Sequence, residues 1–297
     1  MNKKKFLINI CKKLSIDKLA FHLFSFSEVG LARYSIIRSL LERILPYFKL
    51  EFIEIDGNKI FLDSNDSLNL SFNSVYEKLE TDYIKKEIKE GDIVFDIGAN
   101  IGYYTLLFAK LVGNTGKVFA FEPDPTNFAI LKKNIETNGY QNVTLIQKAI
   151  SDKTAKIRLY LCNYNNGVHR IYDSTFCDDS VEIESVRLDD FLDSIVFDSM
   201  INFIKIDVEG AEFESLQGMK SILKKNISPK ILLEFAPFAL QECGYAPKNL
   251  LLFLKNLGFE LNEIDSKGNL LKIDIDFITK KFTATKKNYL NLVCIKK

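Results

Sequence analysis

The stretch VFDIGANIGYYT, Val94 to Thr105, decides how the rest of this chain is read. An apolar run of buried-strand character is turned by two glycines and passes directly into an apolar helical pattern. Strand, glycine turn and helix in that order build a pocket for a nucleotide-type ligand. Amides in the first turn of such a helix lack intrahelical partners, so they can hold an anionic group without a basic side chain. Asp96 stands at the strand's carboxyl end, Gly98 and Gly102 let ligand and helix approach the backbone closely, and Asn100 is a candidate N-cap. Ala99 and Tyr103 border the same turn and join the candidate ligand contacts. The pattern is D-x-G-x-N-x-G. A dinucleotide fingerprint places glycine where Asn100 stands, so a nicotinamide-dependent oxidoreductase is the disfavoured reading.

From Gly91 onward strand and helix patterns alternate. This predicts an α/β, Rossmann-like fold: a mostly parallel sheet with helices on both faces. Strands are expected over 93–96, 117–121, 143–150, 203–206 and 231–235, with closing strands over 259–264 and 289–295. Residues 156–162 and 180–186 read as an added antiparallel pair joined by a polar loop, and 266–269 as a turn. Helices are expected over 76–89, 103–110 and 126–137, with others starting near Glu212 and Pro247. Upstream, LEFIEIDGNKIFLD alternates around Asp56-Gly57 as a hairpin does. Residues 1–48 carry helical spacing. The expected organisation is a basic helical extension over 1–50, a hairpin and linker over 51–75, and the main α/β domain over 76–297.

Ligands of such sheets bind outside the carboxyl ends of the strands. Four of those ends are acidic here: Asp96, Glu122, Asp207 and Glu234. They repel one another unless a cation or bound hydroxyls compensate. Glu122 lies 24 residues beyond Gly98, where a carboxylate accepts hydrogen bonds from both ribose hydroxyls, with Pro123 beside it. At the end of the third strand, Gln147, Ala149 and Ser151 stand where an adenine edge would be read. In IKIDVEGAE, residues 204–212, Asp207 ends the fourth strand and Glu209 and Glu212 open the next helix, where the macrodipole favours acids. Lys205 reads as an ion-pair partner. Glu77 and Glu80 belong to a lead-in helix that could cover the ligand from above, although a structural role is the first expectation. His169 is a candidate base in a loop expected to face solvent.

Composition excludes several classes. Residues 1–50 hold ten Lys/Arg against three Asp/Glu, leaving a net-negative remainder in a chain of net charge +1. A nucleic-acid groove needs a basic face, so nucleic acid is not expected as a partner. The five scattered cysteines contain no C-x-x-C pair and suggest neither a disulfide framework nor a zinc site. The start lacks a cleavage site, and no run approaches the ~18 apolar residues of a membrane span. A cytoplasmic protein is expected, either with residues 1–45 packed as a helical cap or with that basic amphipathic region touching a membrane surface.

GDIVFDIGANIGYYT, FEPDP, IKIDVEGAE and ILLEF, in that order and spacing, resemble the FkbM-type family of class I S-adenosylmethionine (SAM) methyltransferases. The resemblance covers about residues 76–260. It implies a SAM-dependent fold and O-methylation of hydroxyls on sugars, glycans or natural products. Members commonly carry a histidine after the ILLE segment, whereas Phe235, Ala236 and Pro237 stand there. Asp207 is therefore the first candidate for base or hydroxyl orienter, followed by Glu209 and Glu234. A divalent cation held by these oxygens is a less favoured alternative. So is a SAM-binding regulatory or scaffold protein without turnover.

Overall fold

The computed structural model describes residues 50–71, 73, 75–162, 167–173, 177, 179–195, 197–225, 229–286 and 288–296. The helices expected over 1–48 lie outside them. The chain divides into two compact units, Met1–Tyr76 and Glu77–Lys297.

In the first unit, β1 (Phe52–Ile55) and β2 (Asn58–Phe61) pair antiparallel with Ile55 opposite Asn58. Only Asp56 and Gly57 remain for the turn, both at positive φ, which is the backbone of the primed hairpin turns. The polar segment that follows is held by its own carboxylates. Asp63 accepts the amides of Asn65 and Ser67, and Asp66 those of Leu70 and Ser71.

The second unit opens with helix α1 (Lys78–Glu87), then β3 (Ile93–Ile97), α2 (Tyr103–Val112), β4 (Lys117–Phe121), α3 (Pro125–Asn138), β5 (Val143–Ile146) and β6 (Ala149–Ile150). Next come β7 (Ala155–Leu161), β8 (Asp179–Val186), α4 (Leu188–Ser194), β9 (Phe203–Ile206), α5 (Glu212–Gly218), α6 (Lys220–Lys225) and β10 (Lys230–Phe235). Last are α7 (Pro237–Glu242), α8 (Pro247–Asn256), β11 (Phe259–Ile264), β12 (Leu270–Lys272), α9 (Ile275–Lys281) and β13 (Leu290–Lys296).

Eight strands form one sheet in the order β12-β11-β13-β10-β9-β3-β4-β5. The five strands β10, β9, β3, β4 and β5 run parallel, as expected, and β13 inserts antiparallel between β10 and β11. Chain order runs outward from β3 in one direction through β4 and β5, and in the other through β9 and β10. The crevice at this reversal, beyond the strand ends, is where such sheets hold ligands. Every residue of β9 is buried, and Phe95, Phe119, Phe121 and Phe197 interlock beneath the rim, with Phe95 and Phe119 ring centroids 4.9 Å apart.

Several elements depart from the sequence reading. The single strand expected over 143–150 breaks after Ile146, and β6 leaves the main sheet to pair parallel with β8, which pairs antiparallel with β7 on its other side. The turn over 266–269 closes a β11–β12 hairpin, because Asp265 accepts the amides of Lys267 and Asn269. The short helices α4, α6, α7 and α9 carry too few turns for periodicity to reveal. Cys162 and Cys177 form one disulfide, which the scattered spacing of the cysteines does not suggest. The β7–β8 ladder, ending at Leu161 opposite Asp179, brings these distant positions together. No helix among the described residues is long and apolar enough to cross a membrane.

Candidate active site

The glycine turn is built by close approach. Gly98 has φ +82°, and a Cβ there would lie 1.8 Å from the Asp207 carbonyl oxygen, so only glycine lets β3 and β9 end side by side. The Asp207 amide completes the junction by donating to the Ile97 carbonyl at 3.1 Å. At Gly102, also left-handed, a Cβ would meet Leu131 Cδ1 at 2.6 Å, so α3 presses directly on the turn. Asn134, fully buried on α3, donates its Nδ2 to the Ile101 carbonyl at 2.7 Å and locks the same contact.

One detail of the turn differs from the sequence reading. Asn100 does not cap the helix. Gly102 occupies that place, while Asn100 adopts a left-handed backbone and its Oδ1 accepts the Ile101 amide at 2.7 Å. The amides of the turn are also already engaged. Those of Gly98 and Ala99 donate to the Phe121 carbonyl, that of Gly102 to Ala99, and that of Asn100 to Glu122 Oε2 at 2.7 Å. These hydrogen bonds shape the turn ahead of the first helical residue, Tyr103.

Glu122 gains from the same arrangement. Its second oxygen accepts the Asp124 amide at 2.9 Å, which fixes the carboxylate at the end of β4 with lone pairs left for ribose hydroxyls. Asp124 caps α3 by accepting from the Asn127 amide, with Pro125 at the first helical position, and Pro123 joins this cap to Glu122. Burial pushes Glu122 up to about 8 despite its two amide donors. Asp96 is completely buried, with Thr105 Oγ1 donating to one oxygen at 2.6 Å. Its other oxygen has no hydrogen-bond partner among the described residues. An orphaned buried acceptor beside a glycine cradle is a place a ligand donor fits.

Asp207, Glu209 and Glu234 converge, one carboxylate oxygen of each lying within 4.8 Å of the others. Oxygen donors of this kind suit magnesium or calcium. The protein, however, supplies its own cation. Lys205, 4% exposed, places its Nζ 2.9 Å from Asp207 Oδ2 and 4.8 Å from the centroid of the Tyr104 ring. Burial alone would lower its pKa, yet Asp207, Asp96 and Glu77 outweigh that and hold it above the usual lysine value. Burial, followed by the charge of Asp207, raises Glu209 to about 8 and Glu234 well above its ordinary range. One buried lysine thus offsets part of the charge the acidic strand ends bring together, and burial favours the neutral form of Glu122 and Glu234.

Glu212 braces the loop that carries Glu209: its Oε1 accepts the amides of Val208 and Gly210. Glu209 itself has φ +53°, a left-handed conformation that costs a non-glycine residue about 1 kcal/mol and is kept mainly where surroundings enforce it. Ser151 commits its hydroxyl to Glu214 at 3.0 Å, and its carbonyl lies 2.0 Å from where a Gly218 Cβ would be, so it anchors α5. Ala149 is buried in the β6–β8 pairing. His169 is half-buried, and its Nδ1 accepts the Cys162 amide at 3.1 Å.

The raised carboxyls have a thermodynamic consequence. Glu122 ionises at its ordinary 4.5 when unfolded but at about 8 when folded, so between these values the unfolded chain binds fewer protons. Stability then falls as pH rises through that window and levels off above it. Ligand-free protein is expected to melt at a lower temperature at pH 8 than at pH 5.5, as thermal scans in matched ionic strength would show. A Glu122→Gln variant should flatten this slope.

Residues 96–261 match the Methyltransferase FkbM domain, more than half of the chain, and span the turn and every acidic strand end described above. The chain belongs to the FkbM methyltransferase family. Among its relatives, Methyltransferase 1 of Beauveria bassiana is 28% identical over 174 residues, covering 48% of this chain and 68% of that protein. Hexuronic acid methyltransferase AglP of Haloferax volcanii is 31% identical over 140 residues, covering 47% and 54%. The 31-O-demethyl-FK506 methyltransferase FkbM of Streptomyces tacrolimicus is 31% identical over 178 residues, covering 49% and 68%. The matched region makes this chain a SAM-dependent methyltransferase. Tyr104 and Asn291 are not among the contacts expected from sequence, and Glu77 is there only as part of a lead-in helix that could cover the ligand; all three meet at the rim of this FkbM-family enzyme.

Proposed function

We propose that this chain methylates a hydroxyl of a sugar, glycan or natural product with SAM as donor. The observation that carries this reading is Asp207, at the switch point of the sheet, abutting Gly98 and held by Lys205 at 2.9 Å. SAM supplies an activated methyl on a sulfonium. The remaining work is alignment, exclusion of water and removal of one proton. Glu122 would receive the ribose hydroxyls, Asp96 and the turn from Gly98 to Tyr103 would border the donor, and Pro123, Ala149 and Ser151 would border its base. Asp207 orients the acceptor hydroxyl and takes its proton as the methyl passes to oxygen, leaving a thioether. Glu209 and Glu234 surround the acceptor. The relatives named for a hexuronic acid and for a 31-O position support an oxygen acceptor.

Labelled SAM incubated with a panel of glycosides, uronic acids and polyketide alcohols tests the reading, and the label is expected in an alkali-stable ether. Binding of SAM without transfer to any of these would favour a regulatory role instead. Because Lys205 already offsets the acidic cluster, chelation with EDTA is expected to leave transfer within about twofold. A larger loss, restored by magnesium, would assign Asp207, Glu209 and Glu234 to a metal.

A further inference from the structure

Glu77 is the first residue of the second unit and precedes the family match, which starts at Asp96. Its backbone is left-handed, with φ +40°, in front of α1. Two elements hold its side chain. The Tyr104 hydroxyl, from the first turn of α2, donates to Oε2 at 2.7 Å, and Asn291 Nδ2, from β13, donates to Oε1 at 3.2 Å. Asn291 also donates to Glu80 Oε1 at 3.0 Å, and it lies opposite Glu234 in the β10–β13 ladder. Strained backbone and side-chain clamps on both oxygens give a carboxylate with a fixed aim and further lone pairs to offer.

Its position selects what it faces. The hydrogen-bond partners of Glu77 stand on α2 and β13, and the charges it feels include those of Asp207, Lys205 and Glu80. Glu122 is on β4, across the glycine turn. A donor whose ribose is at Glu122 and whose sulfur reaches Asp207 extends its amino-acid tail toward Glu77. That tail carries one cation besides the sulfonium, the α-ammonium.

We propose that Glu77, aimed by Tyr104 and Asn291, binds the α-ammonium of the donor's methionine moiety. The proposal rests on the SAM reading above. A charge-assisted hydrogen bond of this kind is on the order of a tenfold change in affinity.

Titration calorimetry with the full chain separates the outcomes, using S-adenosylhomocysteine, which has the ammonium and no sulfonium, and methylthioadenosine, which lacks the amino-acid tail. Glu77→Gln is expected to weaken S-adenosylhomocysteine about tenfold and to leave methylthioadenosine within twofold. Tyr104→Phe, which removes one clamp and keeps the ring, is expected to weaken only S-adenosylhomocysteine, by about threefold. Unchanged binding in Glu77→Gln overturns the proposal. So does tighter binding, which would put the tail's carboxylate beside Glu77. An equal loss for both ligands, with a lowered melting temperature, also overturns it and makes Glu77 a packing residue. Wild-type protein that binds neither ligand would remove the SAM reading itself, an outcome distinct from the other three.

Discussion

Asp207→Asn is expected to bind SAM within a few-fold of the wild type and to transfer methyl groups about 10² to 10⁴ times more slowly, the range a positioned base supplies. Asparagine keeps the shape and can still orient a hydroxyl, but it cannot take the proton. Lys205 loses its partner at 2.9 Å and retains Asp96 and Glu77 nearby, so a folding loss of about 1–3 kcal/mol accompanies the change. Single-turnover transfer and calorimetry on the same preparation separate the two effects. Turnover equal to wild type would take Asp207 out of the chemistry and leave Glu209 or Glu234 as the acid that matters.

Gly98→Ala is expected to abolish cofactor binding and to destabilise the second unit by about 3 kcal/mol or more. The added methyl would lie 1.8 Å from the Asp207 carbonyl oxygen, a backbone atom fixed by the β3–β9 junction. Relief requires the two strands to part, and a left-handed alanine adds roughly 1–2 kcal/mol. Gly139→Ala is the control. Gly139 is also left-handed, at φ +73°, but a Cβ there meets nothing within 4 Å, so only the conformational penalty of about 1 kcal/mol should appear. Denaturant melts of the two variants compare clash with conformation directly. Similar losses would show that the strand ends are not as tightly opposed as this contact requires.

Much of the candidate site is legible in the sequence, because its signals are local. Asp96, Gly98 and Gly102 follow from a strand-turn-helix grammar, Glu122 from its distance to the turn, and Asp207 and Glu234 from apolar runs that end in an acid. Asn100 was misread for a reason equally local. Asparagine favours both N-caps and left-handed backbone, and the choice between them was made by Glu122, whose carboxylate takes the Asn100 amide from the next strand over.

The chain's alternating pattern, its glycine spacing and its acidic strand ends determined by themselves an α/β fold with a ligand crevice beyond the strand ends, because each depends on residues a few positions apart, and the motif strings added the resemblance to the methyltransferase family. Tertiary structure alone decided the electrostatics. Lys205 meets Asp96 and Glu77 only once β3, β9 and the residue that precedes α1 are packed together, and Asn291 reaches Glu77 from 214 residues away. Protonation and aim are set by desolvation and by neighbours in space, and those quantities exist only after the strands have been brought side by side.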